Sequence, residues 1–95
     1  PVVSIKVPES SRSSDPIRTT RNTVDVRGLR VHEAEIAVEE HLRNASGPVW
    51  VIHGIGTGKL KKGLRQWLAN VPYVDRVTDA LQTDGGAGCS VVWLR

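Results

Sequence analysis

The segment His53-Gly54-Ile55-Gly56-Thr57-Gly58-Lys59 sets three glycines at alternate positions between a histidine and a lysine. Glycines let a backbone approach a bulky anion closely, and a helix starting just beyond them would add free N–H groups and a partial positive charge. Lys59, Lys61, Lys62 and Arg65 follow with no acidic residue among them. Together these features describe a phosphate cradle. Spacing alone fits a second reading equally, a flexible strand-to-helix turn followed by a solvated basic helix face. A Walker-type P-loop is a poor fit: it needs four residues between its first glycine and Gly-Lys-Ser/Thr. Here three residues separate Gly54 from Gly58, and Leu60 stands where Ser or Thr should follow Lys59. A Rossmann fingerprint fails as well, because its G-x-G-x-x-G must follow the first strand.

His53 has two open roles. With an ordinary pKa near 6.5 it could serve as a general acid or base, or it could be a strand-end histidine donating to a backbone carbonyl. Asp25 lies between Val24 and Val26, so in a strand its carboxylate points to the face opposite those valines. Within reach of His53 it would orient the ring, act as a base, or hold a divalent metal such as Mg or Mn. Otherwise it is a surface aspartate paired with Arg27 or a lysine. His32 and His41 have no ligand partners at sensible spacing. The single cysteine, Cys89, rules out an intrachain disulfide and a thiolate-rich zinc site, and in its apolar run it reads as a small buried residue.

The elements that must position these groups follow from periodicity. Val24–Arg27 alternates as a half-covered strand, and Gly28 breaks it. Val31, Ala34, Val38, His41, Leu42 and Ala45 share one face of a helix that Gly47-Pro48 closes, with Ile36 on the wrong face. Val49–Ile52 is a continuous apolar run, as in a strand covered on both sides. Leu60, Leu64, Trp67, Leu68 and Val71 form the apolar face of a second helix, from whose centre Lys61, Lys62 and Arg65 point away; Pro72 ends it. A third strand begins at Tyr73–Val77 and extends toward Leu81. Residues 84–88 make a turn, and Ser90–Leu94 forms the last strand. The order is β-α-β-α-β-β: an α/β two-layer sandwich with two helices on one face of a mixed four-stranded sheet, the opposite face partly uncovered.

The chain has 95 residues, enough for one small domain, with a formal charge of +3 and a pI near 9.5. That excess is mild, but charge is sorted by region: Glu33, Glu35, Glu39 and Glu40 lie in the first helix and the basic cluster in the second. A basic working face follows. Residues 1–22, with Pro8, Pro16 and four serines between those two prolines, read as a linker or arm from an upstream domain, with a short extended piece at 2–7, and 23–95 as the domain proper. No apolar run is long enough to span a membrane and no secretory signal is present, so a cytoplasmic location without membrane partners is expected. The chain does not begin with Met, as expected of a fragment.

Three motifs in order, Val24-Asp25-Val26-Arg27-Gly28 with Glu33-Ala34, then His53 to Leu60, then Gly85-Gly86-Ala87-Gly88 leading into Val91-Val92-Trp93-Leu94, resemble the Smr (small MutS-related) domain from about Asn22 to Arg95. The Arg27 version is similar to the one at the carboxyl end of bacterial second MutS paralogues. The resemblance implies a fold similar to the carboxyl-terminal domain of translation initiation factor three. It also implies DNA or RNA binding and, in many members, an endonuclease that nicks the backbone, here within a larger MutS-like ATPase. Asp25 matches the acidic position of the first motif, and His53, Gly54, Gly56 and Gly58 match the second. Many RNA-cleaving members carry His two residues after that Asp, where this chain has Arg27, a residue suited to stabilising phosphoryl charge as a bidentate donor. The expected division of labour is then Asp25 as base or metal ligand, Arg27 as anion donor and His53 as acid/base or phosphate ligand. The loop amides, Lys59, Lys61, Lys62 and Arg65 grip the backbone. The rival expectation is a non-catalytic module docking its parent on structured RNA, including a ribosome. A third uses Ile36 and the open sheet face to dock a protein.

Overall fold

The structure, a computed structural model, describes residues 17–95. Most of the expected arm, including its extended piece at 2–7, lies outside the described residues. The elements run β1 (Thr23–Asp25), α1 (Val31–Arg43), β2 (Val49–Ile52), α2 (Lys59–Leu68), β3 (Val74–Asp79) and β4 (Cys89–Leu94), with 3-10 turns at Gln82–Asp84 and Gly86–Gly88. They form one mixed sheet in the order β1-β2-β4-β3. β1 and β2 are parallel, with Asp25 opposite Ile52, and β4 runs antiparallel to both its neighbours, with Val49 opposite Val92 and Val77 opposite Val92 on its other side. β2 and β3 therefore point the same way with β4 inserted between them.

Alternation sorts the sheet into two faces. Val24, Val26, Val49, Val51, Val74 and Val92 meet Ala34, Val38 and Leu42 of α1 and Leu64 and Leu68 of α2 in the main core. At about 1.5–3 kcal/mol for each fully buried large aliphatic side chain, this layer dominates folding. The helices also touch each other. A Cβ at Gly63 would lie 2.9 Å from Val31 Cγ1, so only glycine allows α2 to sit this close to α1. On the other face Trp50, Ala80, Cys89 and Val91 form a smaller cluster, flanked by half-buried Ile52 and Trp93. The Trp93 indole N–H donates to Thr78 Oγ1 at 2.8 Å, and the Arg76 guanidinium lies 4.6 Å from the ring centre. Ile36 is 50% exposed, and Cys89 is fully buried, with its thiol pKa pushed up by that burial.

Element ends differ from the sequence expectation for local reasons. β1 stops at Asp25 because the Asp25 carboxylate accepts the Arg27 N–H at 3.0 Å and turns the chain. α1 ends at Arg43, before Gly47-Pro48, where Asn44 and Ala45 donate to His41 and Leu42 carbonyls in a tighter turn. β3 starts one residue late and stops at Asp79, carrying a bulge between Val74 and Arg76. Before β1, Arg18 donates from Nε to Thr23 Oγ1 and from Nη1 to the Asp84 carbonyl at 3.1 Å, which joins this segment to the turn before β4. Among the described residues, no helix is long and apolar enough to cross a membrane.

Candidate functional site

Because β4 pairs with β2, the glycine turn that enters β4 lies against the loop that leaves β2. The N–H groups of His53 and Gly54 both donate to the Gly88 carbonyl, at 3.1 and 2.9 Å. A Cβ at Gly88 would sit 3.4 Å from Ile55 Cγ1 and 3.6 Å from the Gly54 backbone, so the two glycine-rich segments are in contact. Gly54, Gly56 and Gly58 all have positive φ (80°, 33° and 80°), a region L side chains rarely adopt. The loop is thus shaped by its glycines. Among the described residues, the N–H groups of Ile55, Gly56 and Thr57 have no acceptor, nor do those of Leu60 and Lys61 in the first turn of α2. Five donors and a helix N-terminus gather at one end of the sheet, and such donors favour an anion.

The four basic residues of α2 divide into two pairs. Lys59 and Lys62 are exposed, and neither side chain has a hydrogen bond or ion pair among the described residues. Lys61 and Arg65 turn toward the sheet. Lys61 Nζ lies 3.0 Å from Asp79 Oδ1 and 3.4 Å from the Ala87 carbonyl. Arg65 Nη2 donates to Asp79 Oδ1 and, at 3.1 Å, to Ser90 Oγ. The Asp79 carboxyl is held below its ordinary pKa, chiefly by hydrogen bonding to Lys61 and also by Arg65.

His53 is 6% exposed. Its Nδ1 lies 2.7 Å from the Gly54 carbonyl oxygen and its Nε2 2.8 Å from Ser90 Oγ. Burial depresses its pKa below 6.5, and the nearby positive charges of Lys61 and Arg65 depress it further, against the hydrogen bond to Gly54. The ring therefore stays uncharged at neutral pH.

Asp25 and Arg27 flank the other side of the loop. Arg27 Nε donates to Asp25 Oδ1 at 3.0 Å and its Nη2 to Oδ2 at 2.7 Å, so the guanidinium spans both carboxylate oxygens. That pairing lowers the Asp25 pKa below its usual value. The stem of Arg27 passes over Gly54, where a Cβ would meet Arg27 Cγ at 3.6 Å. Arg27 therefore lies beside the loop. Asp25 projects from the face opposite Val24 and Val26, as alternation requires, whereas His53 turns toward Ser90 and α2. Each has its own partners and no hydrogen bond joins them. The donor set around Asp25 does not make a metal cage: Arg27 occupies both oxygens, and among the described residues no group of three His, Cys, Asp or Glu side chains is placed to hold an ion.

Sequence reasoning did not single out Asp79, Ser90 or the Gly88 carbonyl. Ser90 left one signal: it is a polar residue on the helix-facing side of an otherwise apolar strand. Asp79 left none, since its partners come from an element 14 residues away.

The chain matches the Smr domain family over residues 24–95. It is 41% identical over 97 residues to a protein named endonuclease MutS2 from Synechocystis, covering 98% of this chain and 12% of that protein. To the endonuclease MutS2 of Carboxydothermus hydrogenoformans it is 45% identical over 76 residues, covering 76% of this chain and 10% of that protein. It thus spans a small fraction of these relatives. The crystal structure of the Smr domain of Thermus thermophilus MutS2 superposes with a TM-score of 0.73 at 37% identity, covering 78% of this chain and 98% of that one. YdaL, a stand-alone small MutS-related protein from Escherichia coli, shares the fold with a TM-score of 0.73 at 24% identity, covering 81% of this chain and 66% of that one.

Proposed function

The chain belongs to the Smr domain family, and from that premise we propose that it is a nucleic-acid-binding module that grips a phosphodiester backbone and nicks it, as part of a larger MutS-like protein. The carrying observation is the convergence at one sheet end of unpaired loop amides, two exposed lysines and the Arg27–Asp25 pair, all around a single glycine-shaped loop. The amides of residues 55–57, the start of α2, Lys59 and Lys62 seat the phosphate. Binding of this kind is indifferent to sequence and weakens steeply with salt. For cleavage, Arg27 turns from Asp25 to the phosphate, where its fork matches two oxygens and opposes the charge that builds up there. Asp25 is then released to accept a proton from the attacking hydroxyl or water as its oxygen bonds to phosphorus, while the P–O bond to the leaving strand breaks and the departing oxygen takes a proton from solvent. His53 shapes the loop from beneath.

One observation favours the non-catalytic reading, a module that docks its parent on structured nucleic acid or a ribosome. Held by Arg27, Asp25 is a weak base, and a base works best with a pKa near the working pH. Incubating the 95-residue chain with supercoiled plasmid and with labelled RNA, with and without Mg or Mn, separates the two. Nicking is expected in the wild type, lost in Asp25→Asn with binding retained. Wild-type binding without any cleavage under all these conditions would leave docking as the function.

A further inference from the structure

A phosphate cradle needs glycines, amides and exposed cations. It does not require a chain of polar groups that starts buried behind the loop and runs through β4 and α2 to β3 at the surface, and this domain has one. His53 Nδ1 is 2.7 Å from the Gly54 carbonyl, His53 Nε2 is 2.8 Å from Ser90 Oγ, Ser90 Oγ is 3.1 Å from Arg65 Nη2, and Arg65 reaches Asp79, which Lys61 shares. His53 and Ser90 are 6% and 3% exposed.

The proton directions follow from what each group can do. A carbonyl oxygen only accepts, so the N–H of the uncharged ring sits on Nδ1 and donates to Gly54. Nε2 is then an acceptor, and the Ser90 hydroxyl donates to it. The Ser90 oxygen accepts from Arg65, which has donors only. The Nδ1–H and the Ser90 hydroxyl each have an acceptor in this arrangement, while the buried Arg65 Nε–H has none among the described residues. The other tautomer would set a lone pair on Nδ1 against the Gly54 carbonyl oxygen at 2.7 Å, two acceptors facing each other in a buried place.

We propose that Arg65 and Ser90 are positioning residues that lock His53 in its Nδ1–H tautomer, making it a strut that turns the Gly54 carbonyl inward and leaves the amides of Ile55, Gly56 and Thr57 facing the ligand. In this arrangement Lys61 and Arg65 are internal ties between α2, the Gly86–Gly88 turn and β3. Only Lys59 and Lys62, of the four α2 cations, meet phosphate. The inference rests on the proposed function only in taking the loop as the ligand-binding element.

Two measurements on the 95-residue chain test it. Nitrogen-15 NMR of the ligand-free wild type should show His53 protonated on Nδ1 alone. Ser90→Ala and Arg65→Gln should give mixed tautomers and faster solvent exchange of the Ile55–Thr57 amides, and Arg65→Lys, which keeps a positively charged donor, should restore part of the wild-type signature. In salt titrations with a short DNA duplex, Lys59→Ala and Lys62→Ala should each flatten the log–log slope by about 0.9. Arg65→Gln should lower affinity several-fold with the slope unchanged. A wild-type His53 protonated on Nε2 overturns the proposal. So does an Arg65→Gln protein with the wild-type tautomer and a slope flattened as much as in Lys59→Ala, which would make Arg65 a phosphate ligand. Should the wild type bind no nucleic acid, the proposed function fails while the NMR result still decides the role of Arg65 and Ser90.

Discussion

Two arginine–aspartate pairs flank the same loop, and they are built differently. Asp25 ends an edge strand and Arg27 lies two residues on, in the turn that follows, with side chains 46% and 63% exposed. Arg65 and Asp79 are 14 residues apart, and although Asp79 is 52% exposed, the other end of Arg65 reaches a buried serine and histidine. The chemistry of the pairs is alike; the surroundings are not. An exposed ion pair contributes little to stability and can exchange its partner for a ligand. A polar chain that enters the interior must keep its partners, because each group left unpaired there has lost its water. The loop thus stands between an exchangeable side that fits substrate contact and a fixed side that fits support.

The strongest break of that contrast is at Ser90. Ser90→Ala leaves His53 Nε2 without a donor and takes from Arg65 its acceptor at Ser90, leaving it Asp79 alone, and should destabilise the domain by about 1–3 kcal/mol in urea unfolding. An unchanged midpoint would mean the buried chain supports nothing.

Acidification sharpens the contrast. The folded pKa of His53 lies below its unfolded value of 6.5, so the unfolded chain takes up a proton that the folded chain refuses. Stability is full above pH 6.5 and falls as pH drops through the window between 6.5 and the lower folded value, with a slope of at most about 1.4 kcal/mol per pH unit for one proton. The groups facing the ring are Lys61 and Arg65 from α2 and Asp79 from β3. Asp79 has its own pKa lowered and stays charged in this window, so the slope should vanish in His53→Asn. On the exchangeable side the sign is the same and the window lower: Asp25 contributes stability above its ordinary 3.8, which is lost as pH falls through its depressed folded value.

The smallest expected effect on folding is at Arg27. Arg27→Gln should leave the thermal midpoint unmoved while weakening nucleic-acid binding, checked by calorimetry beside a binding titration. A clear drop in the midpoint would place this pair with the supporting side after all.

Much of the scaffold is legible in residue order because it depends on local periodicity. The β2 strand lies at Val49–Ile52 as its apolar run requires, and α1 buries Ala34, Val38 and Leu42 while leaving Ile36 out. Ends were less legible: β1 stops at Asp25 because of one side-chain-to-backbone bond that periodicity does not register. In the site, the glycine loop, the basic run and the outward Asp25 were readable, since each lies within a few residues of chain. So was the alternative that Asp25 pairs with Arg27.

The amino-acid order by itself determined which residues make strands, helices and the positive-φ loop, because those choices turn on neighbours and near neighbours. Only the tertiary structure decided what His53 touches. Its partner Ser90 is 37 residues away, and Arg65 reaches Ser90 across 25. Both contacts exist because β4 inserts between β2 and β3 and draws the Gly86–Gly88 turn against the loop. Strand order is set by which packing buries the most apolar surface with every backbone group paired, a property of the whole chain that no local spacing records. That insertion divides one basic helix face into Lys59 and Lys62, turned to solvent, and Lys61 and Arg65, turned inward.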